Sequence, residues 1–178
     1  MSSPRPLTTS LPDFLENDSD DEFRSFMTQL FVASGRLQSL RRIISRALDL
    51  NSTQFSILLA LWQLQEIEGV SIREVGDYLK ISPANITAEV GKLVAEGLVD
   101  KKVDPEDSRA VKIRTTGRSE LLMDQNAEFL SEINDQLFVG VTRDQFNTVH
   151  EFLHIFNRNS DDAMRIMSQR EQVASAAE

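Results

Sequence analysis

The chain has 178 residues, 40% of them hydrophobic, and a formal net charge of −9, which suits one domain of ordinary size, or one domain with dimerising arms, around a packed core. It contains no cysteine, which excludes disulfides, thiolate metal sites and thiol redox sensing, so packing alone must hold the fold. No apolar run approaches the length of a membrane span, FSILLALW being the longest comparable stretch, and no signal-peptide core is present; a cytoplasmic protein without a membrane partner is expected.

Residues 1–20, MSSPRPLTTSLPDFLENDSD, combine three prolines with Ser/Thr and a closing acidic run. They read as a mobile N-terminal arm, either frayed or packing Phe14 and Leu15 onto a partner subunit. From Asp21 a long helix is predicted to Leu48, its apolar faces supplied by Phe23, Phe26, Met27, Leu30, Phe31, Leu37, Leu40, Ile43, Ile44 and Leu48. Gly35 weakens its middle. Arg36, Arg41, Arg42 and Arg46 make its C-terminal half basic, which suits the helix dipole; they form either a solvated face or, for one or two of them, a site for an anionic effector. NSTQFSILLALWQLQ begins a second helix, with Asn51 or Ser52 as cap and Phe55, Leu58, Leu59 and Trp62 buried.

SIREVGDYLKI then gives a short helix. Ser71 is its cap, Ile72, Val75 and Leu79 share one face, and Ile81 closes the turn that follows. The next helix, SPANITAEVGK, starts at Ser82 with Pro83 in the first helical position, where its missing N–H costs little. Ile86, Val90, Leu93 and Val94 recur at helical spacing as a buried stripe. The opposite side carries Ala84, Asn85, Ala88 and Lys92, with Glu89 at the flank. Small, neutral or cationic side chains of this kind can approach a nucleic-acid groove without bulk or strong repulsion. Two short helices joined this tightly make a helix-turn-helix whose second member enters the major groove.

Gly97 ends the reading helix. LVDKKV and AVKIR alternate like strands, and DPEDSR between them places Asp104 and Pro105 where a type I turn wants them. The hairpin is a wing. From Lys101 to Arg118 it has six basic residues against three acids, and Arg109 at its tip is suited to an adjacent minor groove. The global charge argues against DNA binding, but its distribution does not. Ser71 to Arg118 holds nine basic and eight acidic residues, a net +1, while the rest of the chain sums to −10.

The stretch GLVDKKVDPEDSRAVKI resembles the wing of the MarR (multiple antibiotic resistance regulator) family, which runs Gly-Leu-Val, a basic residue, Asp-Pro-x-Asp-x-Arg and an aliphatic strand. Gly97, Leu98, Val99, Lys101, Asp104, Pro105, Asp107 and Arg109 fall on that pattern, Lys101 standing where arginine is commoner. The resemblance extends over about residues 25 to 160. Two departures follow the wing: Thr115 replaces a usual leucine, and the glycine expected at Ser119 stands instead at Gly117. The resemblance implies a homodimer that binds operator DNA and releases or tightens on it when a small aromatic or phenolic ligand sits between the helices and the DNA-binding lobe. It makes Trp62 a candidate wall of that ligand's cavity, and of the arginines on the first helix Arg36 and Arg41 are the candidates for an anionic group.

After the wing, ELLMDQNAEFLSEINDQLF reads as a long helix with Leu121, Leu122, Phe129, Leu130, Ile133 and Leu137 apolar. Gly140 interrupts, Thr142 can cap, and TRDQFNTVHEFLHIFNRNSDDAMRIM forms the last helix. Their apolar surface exceeds what a small winged helix needs, which implies a two-fold dimer and a pseudo-palindromic site. One motif competes. His150-Glu151-Phe152-Leu153-His154 matches H-E-x-x-H on a helix, the arrangement in which two histidines share a zinc and the glutamate acts as base. A catalytic zinc needs a third protein ligand, yet the chain has only these two histidines and no cysteine. Asn157 and Ser160 fill the places where one zincin pattern has glycine and histidine. Ordinary packing at the edge of the stripe Phe146, Val149, Leu153 and Phe156 is the simpler reading, with no metal, no cofactor and no enzyme.

The expectation is a mainly α protein with a small β wing: a winged helix-turn-helix flanked by long dimerisation helices. Residues 1–20 are the arm, 21–50 and 118–170 the helical dimerisation region, 51–117 the DNA-binding lobe and 171–178 a disordered tail. The function expected is a homodimeric, ligand-responsive transcriptional regulator, a repressor by preference, with double-stranded operator DNA, itself and a small effector such as an aromatic acid or its thioester as partners. Asn85 and Thr87 would meet bases from a face shared with Ala84 and Ala88. Ser82, Lys92, Lys101 and Lys112 would meet phosphates, and Arg109 the minor groove. The alternatives are a winged-helix protein-interaction module without DNA binding and the zinc metallopeptidase.

Overall fold

The computed structural model describes residues 5–64, 69–103 and 111–175. The fold is mainly helical with one small sheet, and it forms two compact units, residues 1–128 and 129–178.

In the first unit, a single turn of 3-10 helix, Pro12–Phe14, precedes α1 (Asp21–Ala47). The segment before α1 is tied to the helix start. Asp20, only 1% exposed, accepts from the amide and hydroxyl of Thr8 and pairs with Arg24 at 2.6 Å, while Arg24 also donates to the Pro6 carbonyl. Phe14 stacks on Phe23 of its own chain at 5.5 Å between centroids. Along α1 itself only Ser45 is buried, and Phe26, Phe31, Leu37 and Ile43 of the expected apolar faces are exposed. The core begins beyond it, at Leu48 and Leu50.

Helix α2 (Ser52–Leu64) is the centre of the lobe. Asn51 caps it, its Oδ1 accepting from the amides of Thr53 and Gln54 at 2.9 Å while Gln54 Oε1 accepts from the Asn51 amide at 2.8 Å. The burial differs from the expected Phe55–Leu58–Leu59–Trp62 face. Ile57, Leu58 and Leu61 are fully buried and Phe55 nearly so, whereas Leu59 is exposed and Trp62 half-buried. The reason is that α2 touches α1, α3, α4 and β3, so most of its circumference is core and no single apolar stripe describes it.

A two-residue strand β1 (Val70–Ser71), not foreseen in the sequence, leads into α3 (Ile72–Leu79) and then α4 (Pro83–Ala95). Strands β2 (Val99–Val103) and β3 (Val111–Thr115) follow, in an antiparallel sheet of order β1-β3-β2. Val70 pairs with Ile113, and Val99 with Thr115. Ile57, Leu58, Leu61, Val75, Ile86, Val90, Leu93 and Ile113 are all excluded from solvent, each contributing roughly 1.5–3 kcal/mol by burial. These side chains seat α3, α4 and the sheet on α2.

Helix α5 (Gly117–Phe138) starts at a site where two residues depart from the family pattern. Thr116 and Ser119 cap each other: the Thr116 amide donates to Ser119 Oγ at 3.0 Å and the Ser119 amide to Thr116 Oγ1 at 3.3 Å. Thr116 also donates its hydroxyl to the Gly97 carbonyl at 2.8 Å, joining the start of α5 to the end of α4. A glycine at position 119 would lack that acceptor.

The second unit holds the end of α5 and α6 (Arg143–Ser175), joined through Gly140 at φ +84°. Thr142 and Gln145 form the capping box that starts α6. No residue of α6 is buried, and the helix runs to Ser175, through most of the segment expected as a tail. Residues 176–178 lie outside the described residues.

Candidate nucleic-acid interface

The reading helix is positioned by local chemistry at both ends. Ser71 and Glu74 form a full capping box at the start of α3, and hydrogen bonds from the Ser71 amide and hydroxyl regions hold the Glu74 carboxyl below its ordinary value against the opposing effect of burial. Lys80 takes a left-handed conformation at the end of α3, and the Ile81 amide closes back on the Gly76 carbonyl at 3.0 Å. A Cβ at Gly76 would lie 2.9 Å from the Ile81 carbonyl oxygen. Glycine is therefore what lets the turn pass this close to α3. Ser82 then accepts from the Asn85 amide, with Pro83 in the first turn. At the far end Gly97, at φ +72°, donates to Val94 and Leu98 to Leu93, a Schellman closure that satisfies the last carbonyls of α4.

Between these ends α4 has two distinct sides. Ile86, Val90 and Leu93 are buried, and Val94 is half-buried. Ser82, Ala84, Asn85, Thr87, Ala88, Gly91 and Lys92 are exposed, so the side expected to meet a duplex is the solvent side. Thr87 donates its hydroxyl to the Pro83 carbonyl at 2.8 Å; toward a base it keeps an acceptor lone pair and a methyl group. Lys92 is held by Glu89 at 2.7 Å, and Asn51 Nδ2 donates to the other carboxylate oxygen of Glu89 at 2.8 Å. Those two donors, Lys92 first, lower the Glu89 pKa against burial.

The wing departs from the expected grouping of cations. Register places Lys101 opposite Ile113 and Lys102 opposite Lys112. Because side chains alternate along a strand, Lys112 shares its face with Lys102, and Lys101 lies on the other face. Lys102 was missed by reading composition alone; the two-residue period, once the register is known, finds it. Like charges directly opposite each other destabilise a hairpin; here the Glu74 carboxylate is close enough to Lys112 for the two charges to interact. Asp100 pairs with Arg114 at 3.7 Å on this same face. Arg109 and the turn around Asp104 and Pro105 lie outside the described residues.

Comparison with known proteins fits this geometry. The sequence model described as the MarR family matches residues 48–110, from the last residues before α2 to the residue before β3. The HTH-type transcriptional repressor IacR of Pseudomonas putida is 26% identical over 145 residues, 79% of this chain and 84% of that protein. A mutant MarR from E. coli, solved in complex with operator DNA, superposes with a TM-score of 0.63 at 18% identity, covering 76% of this chain and 96% of that one. CouR from Rhodococcus jostii, solved with p-coumaroyl-CoA, superposes with a TM-score of 0.62 at 22% identity, covering 75% and 90%. Residues 48–110 are thus similar to the MarR family, and the fold is that of MarR regulators.

The MarR family consists of transcriptional regulators and not of enzymes. The three residues expected to meet an effector lie on α1 and α2. Trp62 is half-buried on α2; Arg36 and Arg41 are exposed on α1, and Arg41 donates to the Ser56 hydroxyl at 3.3 Å. A surface depression lined by Ser168, Glu171, Gln172 and Ser175 includes none of the three. The H-E-x-x-H residues lie on the exposed surface of α6, where His150 and His154 meet edge to face at 4.5 Å and Phe146 stacks on His150 at 6.0 Å. Among the described residues no three His, Asp or Glu side chains gather as a metal site, and no helix is long and apolar enough to cross a membrane.

Proposed function

We propose that this chain is a cytoplasmic, homodimeric transcriptional regulator, a repressor by analogy with IacR, that binds a pseudo-palindromic operator and responds to a small-molecule effector. The observation that carries the DNA-binding part is the exposed, slim face of α4, with the cations of β2 and β3 beside it in sequence and in the same lobe. In this reading Asn85 and Thr87 contact base edges across the small surface left by Ala84 and Ala88. Ser82, Lys92, Lys101 and Lys112 hold phosphates, and Arg109 enters the minor groove.

The dimer is supported by apolar surface that the chain does not cover itself. On α6, Phe146, Val149, Leu153, Ile155, Phe156, Met164, Ile166 and Met167 are all exposed, as are Phe26, Phe31 and Leu37 on α1. Monomers rarely leave so many large apolar side chains in water, and a second copy covering them would set two reading helices about one DNA turn apart. For the effector, an aromatic acid or its thioester at Trp62, Arg36 and Arg41, the p-coumaroyl-CoA bound by CouR is the supporting precedent. Such a ligand acts only through its differential affinity for two spacings of the reading heads.

The test is selection of duplexes from a random library by the purified protein, followed by gel shift of the enriched sequence with wild type and Arg109→Ala. Enrichment of an inverted repeat, loss of its binding in Arg109→Ala and an unchanged dimer in that variant are expected. Wild-type affinity in Arg109→Ala would refute the wing assignment. Absence of any duplex binding at micromolar protein and low salt would instead favour the protein-interaction module.

A further inference from the structure

The reading helix contains only two ionised side chains, Glu89 and Lys92, and they are bonded to each other. Lys92 Nζ lies 2.7 Å from Glu89 Oε1, with the Glu89 side chain 18% exposed and the Lys92 side chain 59% exposed. The second carboxylate oxygen is taken by Asn51 Nδ2 at 2.8 Å. Asn51 is itself immobilised, since its Oδ1 caps α2 through the amides of Thr53 and Gln54. A chain of bonds thus runs from the start of α2 through Asn51 and Glu89 to the cation of α4. It fixes where Lys92 can reach, and it leaves α4 with no net charge.

A carboxylate in this position is costly for a protein that must approach phosphates, unless it does something there. Sequence-independent binding to DNA is almost wholly phosphate neutralisation, and each uncompensated cation adds to it. In this lobe the wing supplies cations of its own, Lys101 and Lys102 among them. A further cation on α4 would raise affinity for every duplex equally and contribute nothing to discrimination. We propose that Glu89 is a specificity-determining residue: by pairing with Lys92 and anchoring it through Asn51 to the start of α2, it weakens and places the phosphate contact assigned to Lys92 above, so that most of the attraction comes from the wing and α4 is kept for reading. The inference rests on the DNA-binding reading above and names a residue that does not itself touch the duplex.

The experiment measures affinity for random duplex, and for the selected duplex, by fluorescence anisotropy from 50 to 300 mM salt, a range chosen at about the scale over which phosphate contacts are read. Glu89→Gln keeps the size of the side chain and removes the charge. Its random-duplex affinity should rise roughly three- to tenfold at low salt, its log–log salt slope should steepen by up to about 0.9, the full contribution of one cation, and its preference for the selected duplex should fall. Adding Lys92→Gln to that variant should return the slope to the wild-type value or below it. An unchanged slope in Glu89→Gln overturns the inference, and so does a steeper slope that Lys92→Gln fails to reverse. If wild type itself binds no duplex, it is the DNA-binding reading that fails.

Discussion

The same substitution, glycine to alanine, should have opposite effects at Gly76 and Gly91, which lie 15 residues apart in adjoining helices. In an unconstrained helix the change gains up to about 1 kcal/mol, because glycine loses more backbone freedom on folding. At Gly91 nothing lies within 4 Å of the added Cβ, so that gain should be realised. At Gly76 the methyl would stand 2.9 Å from the Ile81 carbonyl oxygen and 3.8 Å from Ile86 Cγ1 and the Pro83 nitrogen. The first of these is backbone, in the turn closed by the bond from the Ile81 amide to Gly76, and it has little room to give. Overpacking of this kind costs about 1–3 kcal/mol; set against a propensity gain of up to about 1 kcal/mol, it leaves a net loss of up to about 2 kcal/mol, and Gly76→Ala should come out less stable than wild type.

Urea denaturation at fixed protein concentration reads both changes, since the midpoint moves while the slope stays constant. Binding should separate from stability. Gly91 is on the exposed side of α4, so Gly91→Ala should be more stable yet weaker on DNA, the methyl entering the face that meets the duplex. Gly76→Ala should lose on both counts, because relief of the overlap displaces α4. A Gly76→Ala variant as stable as wild type would refute the reasoning about the turn. A Gly91→Ala variant with unchanged affinity for the selected duplex would show that this part of α4 is not apposed to DNA.

Ser119→Ala removes a fully buried hydroxyl that accepts from the Thr116 amide and donates to the Thr116 carbonyl at 2.8 Å; a loss of about 1–2 kcal/mol is expected in urea denaturation, and an unchanged midpoint would show that the cap is dispensable. Asp20 gives a pH dependence. Burial pushes its carboxyl up, but the bonds from Thr8 and the Arg24 partner outweigh it, so its pKa lies well below the usual carboxylate range. Its contribution is therefore complete above about pH 4–5 and is lost progressively as pH falls toward the lowered pKa. Asp20→Asn should show a shallower loss of stability over that acid window than wild type; parallel curves would refute the tie between the N-terminal segment and α1.

The parts of this protein legible in its sequence are those whose determinants are local. Ser71 with Glu74, Ser82 with Pro83, and Gly97 mark helix ends within four or five residues of the groups they satisfy, so the helix-turn-helix could be laid out from spacing alone. Leu59 and Ile57 show where that method stops. Periodicity assumes one buried face, and α2 is enclosed on most of its circumference, so its apolar residues do not reveal which of them water reaches. Strand β1 is illegible for another reason: two residues have no period, and Val70 becomes a strand only because Ile113 lies beside it. Register is also what separates Lys101 from Lys102, residues that composition treats alike. Glu89 combines both cases. Its bond to Lys92 is three residues long and could have been read from the chain, while its bond to Asn51 spans 38 residues and could not. A side chain that a helical wheel leaves at the flank thus acquires its role from the distant partner, because only the Asn51 bond turns an ordinary surface ion pair, worth little by itself, into one fixed relative to the rest of the lobe.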